Sequence, residues 1–291
     1  MNTTMKHGTV VVGVDGSTGG HTALEWAVAY AVERQRPLMI VSAAGDPAHI
    51  NELVGTAEAR SALRMAARRV TDHALGAVHR LAHDLEVEVS TPLCDAREAL
   101  VDLSQRASLV VVGTRGRGPM KTLLLGSVSS AVAVHAASPV AVVRPASRQS
   151  DDVPAHVVVG VEGGPSSTAA LETAFDIASA QHRPLDVVHT WSADDTFIDA
   201  NSYVQRVEQV EAHERLLSEA LANYADKYPD VPVRRQVTDG GAVPVLVSMS
   251  RDAERVVVGS RGRTGLSSLL GSTSRDLVER AHCTVMVVRG A

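Results

Sequence analysis

A long segment of this sequence is written twice. Thr9–Val41, TVVVGVDGSTGGHTALEWAVAYAVERQRPLMIV, aligns with His156–Val188, HVVVGVEGGPSSTAALETAFDIASAQHRPLDVV, at a constant offset of 147. Further on, LVVVGTRGRG from Leu109 aligns with RVVVGSRGRT from Arg255 at an offset of 146, and LLGSVSS from Leu124 with LLGSTSR from Leu269 at 145. Solenoid repeats have periods of about 20–50 residues, so a period this long is a whole domain. The 291 residues are therefore expected to form two like domains, 1–145 and 156–291. Between them, residues 146–155 (ASRQSDDVPA) are polar, carry a proline and read as a linker.

Within each copy, short Val-rich runs alternate with longer stretches of helical character. In the first copy the runs are Thr9–Val14, Leu38–Ala43, Glu86–Thr91, Leu109–Val112 and Val140–Val143. Between them lie Ala23–Arg34, Ala57–Ala82, Ala96–Arg106 and Val128–Ala136. The second of these places apolar residues at Leu63, Ala67, Val70, Ala74, Val78 and Leu81, a 3.6-residue period. Ser17 or Thr18 signals the start of the first helix, and Ser166 after Pro165 signals its counterpart. Aromatic residues are only 3% of the chain, so the core must be built from Val, Leu, Ala and Ile, which suits buried parallel strands under Ala-rich helices. Alternating strand and helix with right-handed crossovers predicts an α/β fold of two tandem open parallel five-stranded sheets with helices on both faces. The expected strand order is the Rossmann-like 3-2-1-4-5.

The chemistry gathers at two strand ends. The run Leu109–Val112 leads into Gly113-Thr114-Arg115-Gly116-Arg117-Gly118, and Gly126-Ser127-Val128-Ser129 opens the following helix. Glycines let the backbone turn tightly and direct several N–H groups toward one anion, and a helix N-terminus adds further N–H groups and a positive dipole end. Ser127 and Ser129 can donate hydroxyl hydrogen bonds, while Arg115, Arg117 and Lys121 can offset phosphate charge. The loop is neither a Walker A sequence, lacking Gly-Lys-Ser/Thr, nor a GxGxxG turn after the first strand. Asp15 closes the first strand. In a 3-2-1-4-5 sheet, strands one and four are neighbours at the point where the order reverses, and ligands bind at the carboxyl ends there. Asp15 and the Gly113 loop then flank one crevice, where a carboxylate can accept from an adenine amine or a ribose hydroxyl. The alternative is that Asp15 caps the first helix and nothing more.

These residues resemble the universal stress protein family, and two copies of that domain would span nearly the whole chain. The family's ATP-binding branch carries G-x2-G-x9-G-[S/T] with an Asp closing the first strand. The first copy matches with Gly113, Gly116, Gly126, Ser127 and Asp15. The resemblance implies adenine near Asp15 and Val41–Ala43, phosphates on Gly113, Gly116, Gly126 and Ser127, and ATP as the cofactor, held with Mg²⁺. It further implies a stress-response regulator in the cytoplasm. The last strands of each copy, Val140–Val143 and Val285–Val288, would act as edge elements serving a homodimer or an intrachain pseudo-dimer. The second copy departs twice: Glu162 stands in place of Asp15, and only eight residues separate Gly262 from Gly271-Ser272. Gly259, Arg261, Gly262, Gly271 and Ser272 retain the means to hold an anion, but weaker or altered nucleotide binding is expected there.

Other function classes find less support. Residues 1–145 carry 14 Lys+Arg against 13 Asp+Glu, and 146–291 carry 14 against 20, without the basic excess of a nucleic-acid binder. Cys94 and Cys283 form no metal or disulfide spacing and read as buried thiols. Residues 1–8 are polar and open no signal peptide. Leu123–Val143 lacks Asp, Glu, Lys and Arg, yet its counterpart carries Arg275, Asp276, Glu279 and Arg280; a buried helix and strand are expected, not a membrane span. Of the twelve histidines, His73, His79 and His83 fall on one helix without HExxH, and His135, His189 and His282 read as core-edge residues. Neither GxSxG nor a nucleophile–base pair is present, nor the His-x-Gly-His of adenylyl-transferring relatives of this architecture. The alternatives to a binding protein are a slow ATPase or self-phosphorylating protein using Ser127 or Ser129, and a scaffold that holds no nucleotide.

Overall fold

The computed structural model describes residues 5–45, 57–114, 116, 125–145, 155–191, 200–260 and 270–290, with the backbone alone for 200–206. The chain divides into two compact units, Met1–Pro145 and Ala146–Ala291. In the first, the elements run β1 (Val10–Gly13), α1 (Thr18–Glu33), β2 (Leu38–Val41), α2 (Ala57–Leu81), β3 (Val87–Ser90), α3 (Ala96–Ser104), β4 (Leu109–Gly113), α4 (Ser127–His135) and β5 (Val140–Val143). The strands are parallel in the order β3-β2-β1-β4-β5. β1 lies at the centre, with Val10 beside Leu38 on one flank and Leu109 on the other. The helix α1 packs with α2, and α3 with α4, as right-handed crossovers on the two faces of such a sheet require.

The burial pattern explains why these runs are strands. Val10–Val12, Leu38–Val41, Leu109–Val112 and Val140–Val143 are all buried, and a strand covered on both faces shows a continuous apolar run where a half-exposed one alternates. On α1 the buried Gly20, Ala23, Leu24, Ala27, Val28 and Ala31 recur at three- and four-residue spacing, with small side chains bringing the helix close to the sheet. Each fully buried Val or Leu contributes about 1.5–3 kcal/mol relative to exposure.

The second unit repeats the plan with β6 (Val157–Gly160), α5 (Pro165–Ala180), β7 (Leu185–Trp191), α6 (Ala200–Leu221), α7 (Tyr224–Lys227), β8 (Val233–Asp239), α8 (Ala242–Met249), β9 (Arg255–Gly259), α9 (Ser272–Arg280) and β10 (Thr284–Val288). Its order is β8-β7-β6-β9-β10, the same 3-2-1-4-5 sequence of strands. Both α/β units thus have the expected architecture. Strands β7 and β8 are seven residues each, where β2 and β3 have four.

Several local expectations are corrected. α5 begins at Pro165 behind an N-cap at Gly164, because the fixed φ of proline suits the first helical position and its missing N–H costs nothing there; Ser166 is already inside the helix. α2 stops at Leu81, so His83 lies beyond it, beside Asp84 at 3.0 Å, and does not share a helical face with His79. His135 is exposed as the last residue of α4. Leu123–Val143 holds α4 and β5, and among the described residues no helix is long and apolar enough to cross a membrane.

Candidate functional site

At the carboxyl end of β1 the chain turns into α1 under local hydrogen bonds. Val14 N–H donates to the Val41 carbonyl at 2.9 Å, continuing the β1–β2 pairing by one residue. Asp15 is half-buried. Its Oδ1 accepts from the Ser17 N–H at 2.9 Å and from the Ser17 hydroxyl at 2.5 Å. Ser17 Oγ in turn accepts from Gly20 N–H at 3.1 Å, as the N-cap of α1. Gly16 between them has φ +79°, a conformation costly for any residue with a Cβ. Ser17, not Asp15, is therefore the cap, and Asp15 orients it.

The glycine loop meets this turn. β4 lies beside β1, and a Cβ built on Gly113 would fall 2.4 Å from the Gly19 carbonyl oxygen. Gly113 is required there for close packing of β4 on the first turn of α1. Gly116 is different: it is exposed, and a Cβ on it would fall 2.5 Å from Asp15 Oδ2. The loop backbone thus passes directly against the carboxylate. Arg115, Arg117 and Lys121 lie outside the described residues.

Helix α4 starts behind Gly126, whose N–H donates to the Thr114 carbonyl at 2.7 Å and which supplies no side-chain cap. Ser127 is exposed, Val128 half-buried and Ser129 buried. The Ser129 hydroxyl donates to the Gly113 carbonyl at 2.5 Å. That is a correction: a hydroxyl has one proton, and this one ties α4 to β4, leaving Ser127 as the exposed serine of the pair. On the β2 side, the Val41 side chain is in the core at 2% exposure and its carbonyl is taken by Val14, so Ala43, half-exposed, is the accessible member of that pair.

The second unit repeats the ties between β9 and α9 but fastens its first turn differently. Gly259 packs on Ser166, where a Cβ would meet the Ser166 Cβ at 2.8 Å. Gly271 N–H donates to the Ser260 carbonyl at 2.8 Å, and the Ser274 hydroxyl donates to the Gly259 carbonyl at 2.6 Å, reproducing Gly126 and Ser129. Gly271 gives α9 no side-chain cap, and Ser272 is exposed. Arg261 and Gly262 lie outside the described residues. At the β6 turn, however, Glu162 is exposed, and its N–H and that of Gly163 donate at 3.0 and 3.1 Å to Ser167 Oγ, on α5. Gly163 and Gly164 have φ +94° and +95° with nothing within 4 Å of a built Cβ, so glycine serves backbone conformation there and not close approach.

Two further residues stand at the sheet's carboxyl edge. Asp95 caps α3, accepting from Arg97 N–H at 2.7 Å. The Arg97 guanidinium hydrogen-bonds both its oxygens at 2.9 and 2.7 Å, holding the carboxyl below its ordinary range despite partial burial. Cys94 is half-exposed, where a buried thiol was expected. Partial burial pushes its thiol pKa up, and Glu98, Asp102 and Asp95 add to this, which keeps it protonated and slow to react. Cys283 is buried as expected. Among the described residues no three His, Cys, Asp or Glu side chains gather as a metal site.

Sequence reasoning missed the His189–His213–Trp191 cluster of the second unit. His189 Nδ1 lies 2.7 Å from the Val161 carbonyl and Nε2 lies 2.9 Å from His213 Nδ1. The Trp191 and His213 rings stack at 5.3 Å and 24°. His189 and Trp191 differ sharply from Ser42 and Ala44 at the offset of 147, and that contrast was the available signal.

A doubly wound α/β unit with Gly116 against a carboxylate at the β1–β4 switch point is of Rossmann-like class. The universal stress protein family matches residues 6–144 and again 155–289, and the chain belongs to that family. A universal stress protein of Mycobacterium tuberculosis is 38% identical over 299 residues, covering 98% of this chain and 97% of its own. One from Mycolicibacterium smegmatis is 34% identical over 294 residues, covering 96% of each. The crystal structure of a universal stress protein from Archaeoglobus fulgidus shares the fold at a TM-score of 0.69 and 19% identity, covering 97% of this chain and 96% of that one.

Proposed function

We propose that the first unit binds ATP with Mg²⁺ and that the protein is a nucleotide-dependent regulator. The observation that carries this reading is the contact of Gly116 with Asp15, where a Cβ would lie 2.5 Å from the carboxylate oxygen. A glycine is needed there so that loop backbone can approach an acidic group already held in place by Ser17. Asp15 faces the base or ribose, and Ala43 offers an apolar surface to the base. The uncapped N–H groups of α4 behind Gly126, with the exposed Ser127, receive phosphate oxygens. Mg²⁺ would enter with the nucleotide, bound through phosphate oxygens and water as is usual for this ion. Binding acts by favouring one conformation over another through differential affinity. Domains 1–145 and 156–291, joined by 146–155, are the units on which this operates.

The test is Gly126→Asp in the full chain, followed by calorimetric titration of Mg-ATP. Gly126 has φ −74° and ψ 155°, open to any residue, and Asp is a strong N-cap. The substitution leaves stability unchanged or raised, while its carboxylate takes the N–H groups and repels phosphate. ATP affinity falls at least about tenfold, or about 1.4 kcal/mol. Unchanged affinity would refute the reading. Gly271→Asp in the second unit is the control and leaves the affinity as it was.

A further inference from the structure

The long helix that crosses from the second strand to the third has opposite charge in the two units. In the first it is α2, whose residues 57–81 carry Arg60, Arg64, Arg68, Arg69 and Arg80 against Glu58 and Asp72. In the second it is α6, whose residues 207–221 carry Glu208, Glu211, Glu214 and Glu219 against Arg215. All of these residues are exposed, on the face of each helix turned away from its sheet.

Each charged face surrounds an apolar side chain in solvent. Met65 is 54% exposed, and Arg68 and Arg69 stand three and four residues beyond it on the same face. Arg60 and Arg64 extend the Arg68 row at four-residue steps. On α6, Val207 is 43% exposed, with Glu211 and Glu214 four and seven residues beyond it on one face. Among the described residues, none of Arg60, Arg64, Arg68, Arg69, Glu208, Glu211 and Glu214 is held in an ion pair. Every cation of α2 is an arginine and none a lysine. A guanidinium meets a carboxylate in a fixed two-pronged geometry that an ammonium lacks, and Arg and Met are enriched where proteins meet.

We infer that the exposed face of α2 docks onto the exposed face of α6 of a second copy of this chain. The arginines about Met65 meet the glutamates about Val207, with the two apolar side chains between them. Charge selects this unlike pair, since α2 against α2 brings arginines together and α6 against α6 brings glutamates together. Contact between two helix faces is small beside the roughly 1,200–2,000 Å² buried in stable interfaces, so the association is weak and grows with concentration. It uses helices, not the strands β5 and β10, and holds whether or not the first unit binds ATP.

The test is sedimentation velocity of the full chain over a concentration series. Wild type self-associates at about 0.1 M salt and much less at about 1 M, as the Debye length falls from about 10 to 3 Å. R64E/R68E makes α2 acidic, and E211R/E214R makes α6 basic. All four positions are exposed and both residue types are good helix formers, so circular dichroism stays that of the wild type. Each variant alone associates at least about tenfold more weakly, because its two faces now carry one sign. Mixed in equal amounts, the variants regain the association: the acidic α2 of one meets the basic α6 of the other, and the two unaltered faces meet as well. Wild type that stays unassociated at every concentration would overturn the inference. So would association indifferent to salt, a variant that associates alone as the wild type does, or a mixture that fails to restore it. Wild type that sediments with phosphatidylserine vesicles, while unassociated by itself, would assign the arginine face to an anionic membrane and equally sink the docking of two copies.

Discussion

The two units share a strand order and the word Val-Val-Val-Gly at each central strand, yet they fasten the same turn in opposite directions. In the first, loop side chains hold the helix: Asp15 orients Ser17, and Ser17 caps α1. In the second, a helix side chain holds the loop, as Ser167 accepts from Glu162 and Gly163. The consequence falls on the acidic residue. Asp15 is drawn in against Gly116, while Glu162 has no part in the side-chain fastening and is exposed. A turn can thus be kept for the fold while its carboxylate changes station, and a conserved shape does not imply a conserved site.

The largest effect that would sharpen this comparison is at the glycines ending β4 and β9. Gly113→Ala forces a Cβ to within 2.4 Å of the Gly19 backbone carbonyl, which only a shift of α1 can relieve, at a cost of about 3 kcal/mol. Gly259→Ala meets Ser166 at 2.8 Å or more and costs about 1–2 kcal/mol by the same principle. Urea unfolding of the full chain followed by circular dichroism measures both; equal losses would show that the helix sits equally tightly in the two units. Next come the serines. Ser167→Ala strips the acceptor from two N–H groups and costs about 2 kcal/mol, whereas Ser17→Ala removes one cap and costs about 1 kcal/mol. A larger loss at Ser17 would reverse the account of which unit depends more on its hydroxyl.

The smallest effect concerns α3 and its counterpart. Asp95 caps α3, and Arg97 lowers its pKa; at the offset of 146 its counterpart is Gly241, which gives α8 no side-chain cap. A carboxyl whose folded pKa is depressed stabilises above its ordinary value of 3.8, and that contribution is lost as pH falls through the lower folded value. Asp95→Asn, which can still cap, therefore costs a few tenths of a kcal/mol at pH 7, and the difference from wild type closes in strong acid. Gly241→Asp gains a few tenths at pH 7. Stability curves of both variants at pH 7 and pH 3 check the two signs.

Most of the architecture was legible because it depends on local pattern. Continuous Val runs mark buried parallel strands, the repeat marks two domains, and Gly126 and Gly271 mark helix starts. What escaped depends on contacts between residues distant in sequence. Ser129 looked like a phosphate donor until its hydroxyl met Gly113, sixteen residues earlier. Gly113 read as part of an anion cradle, and its close packing against the Gly19 carbonyl of α1 had no local mark. His189 read as a core-edge histidine, and nothing local tied it to His213 twenty-four residues away. Cys94 read as a buried thiol for want of any disulfide or metal spacing, but next to the N-cap of α3 it is half-exposed.

The strand order also governs how the chain is made. β1 gains β2 soon after leaving the ribosome, but its other neighbour begins at Leu109, paired with Val10. At roughly 5–20 residues per second, one flank of the central strand of the first unit waits roughly 5–20 seconds for its partner. The second unit repeats the interval, with Val157 waiting for Arg255. Val10–Gly13, Val110–Gly113, Val157–Gly160 and Val256–Gly259 spell the same four residues, so side-chain identity alone does not distinguish a strand of one copy from that of the other. Order of emergence does: β4 appears before β6 has been synthesised, so β1 can take its partner while no strand of the second copy yet exists. Refolding the finished chain from denaturant presents all four strands at once.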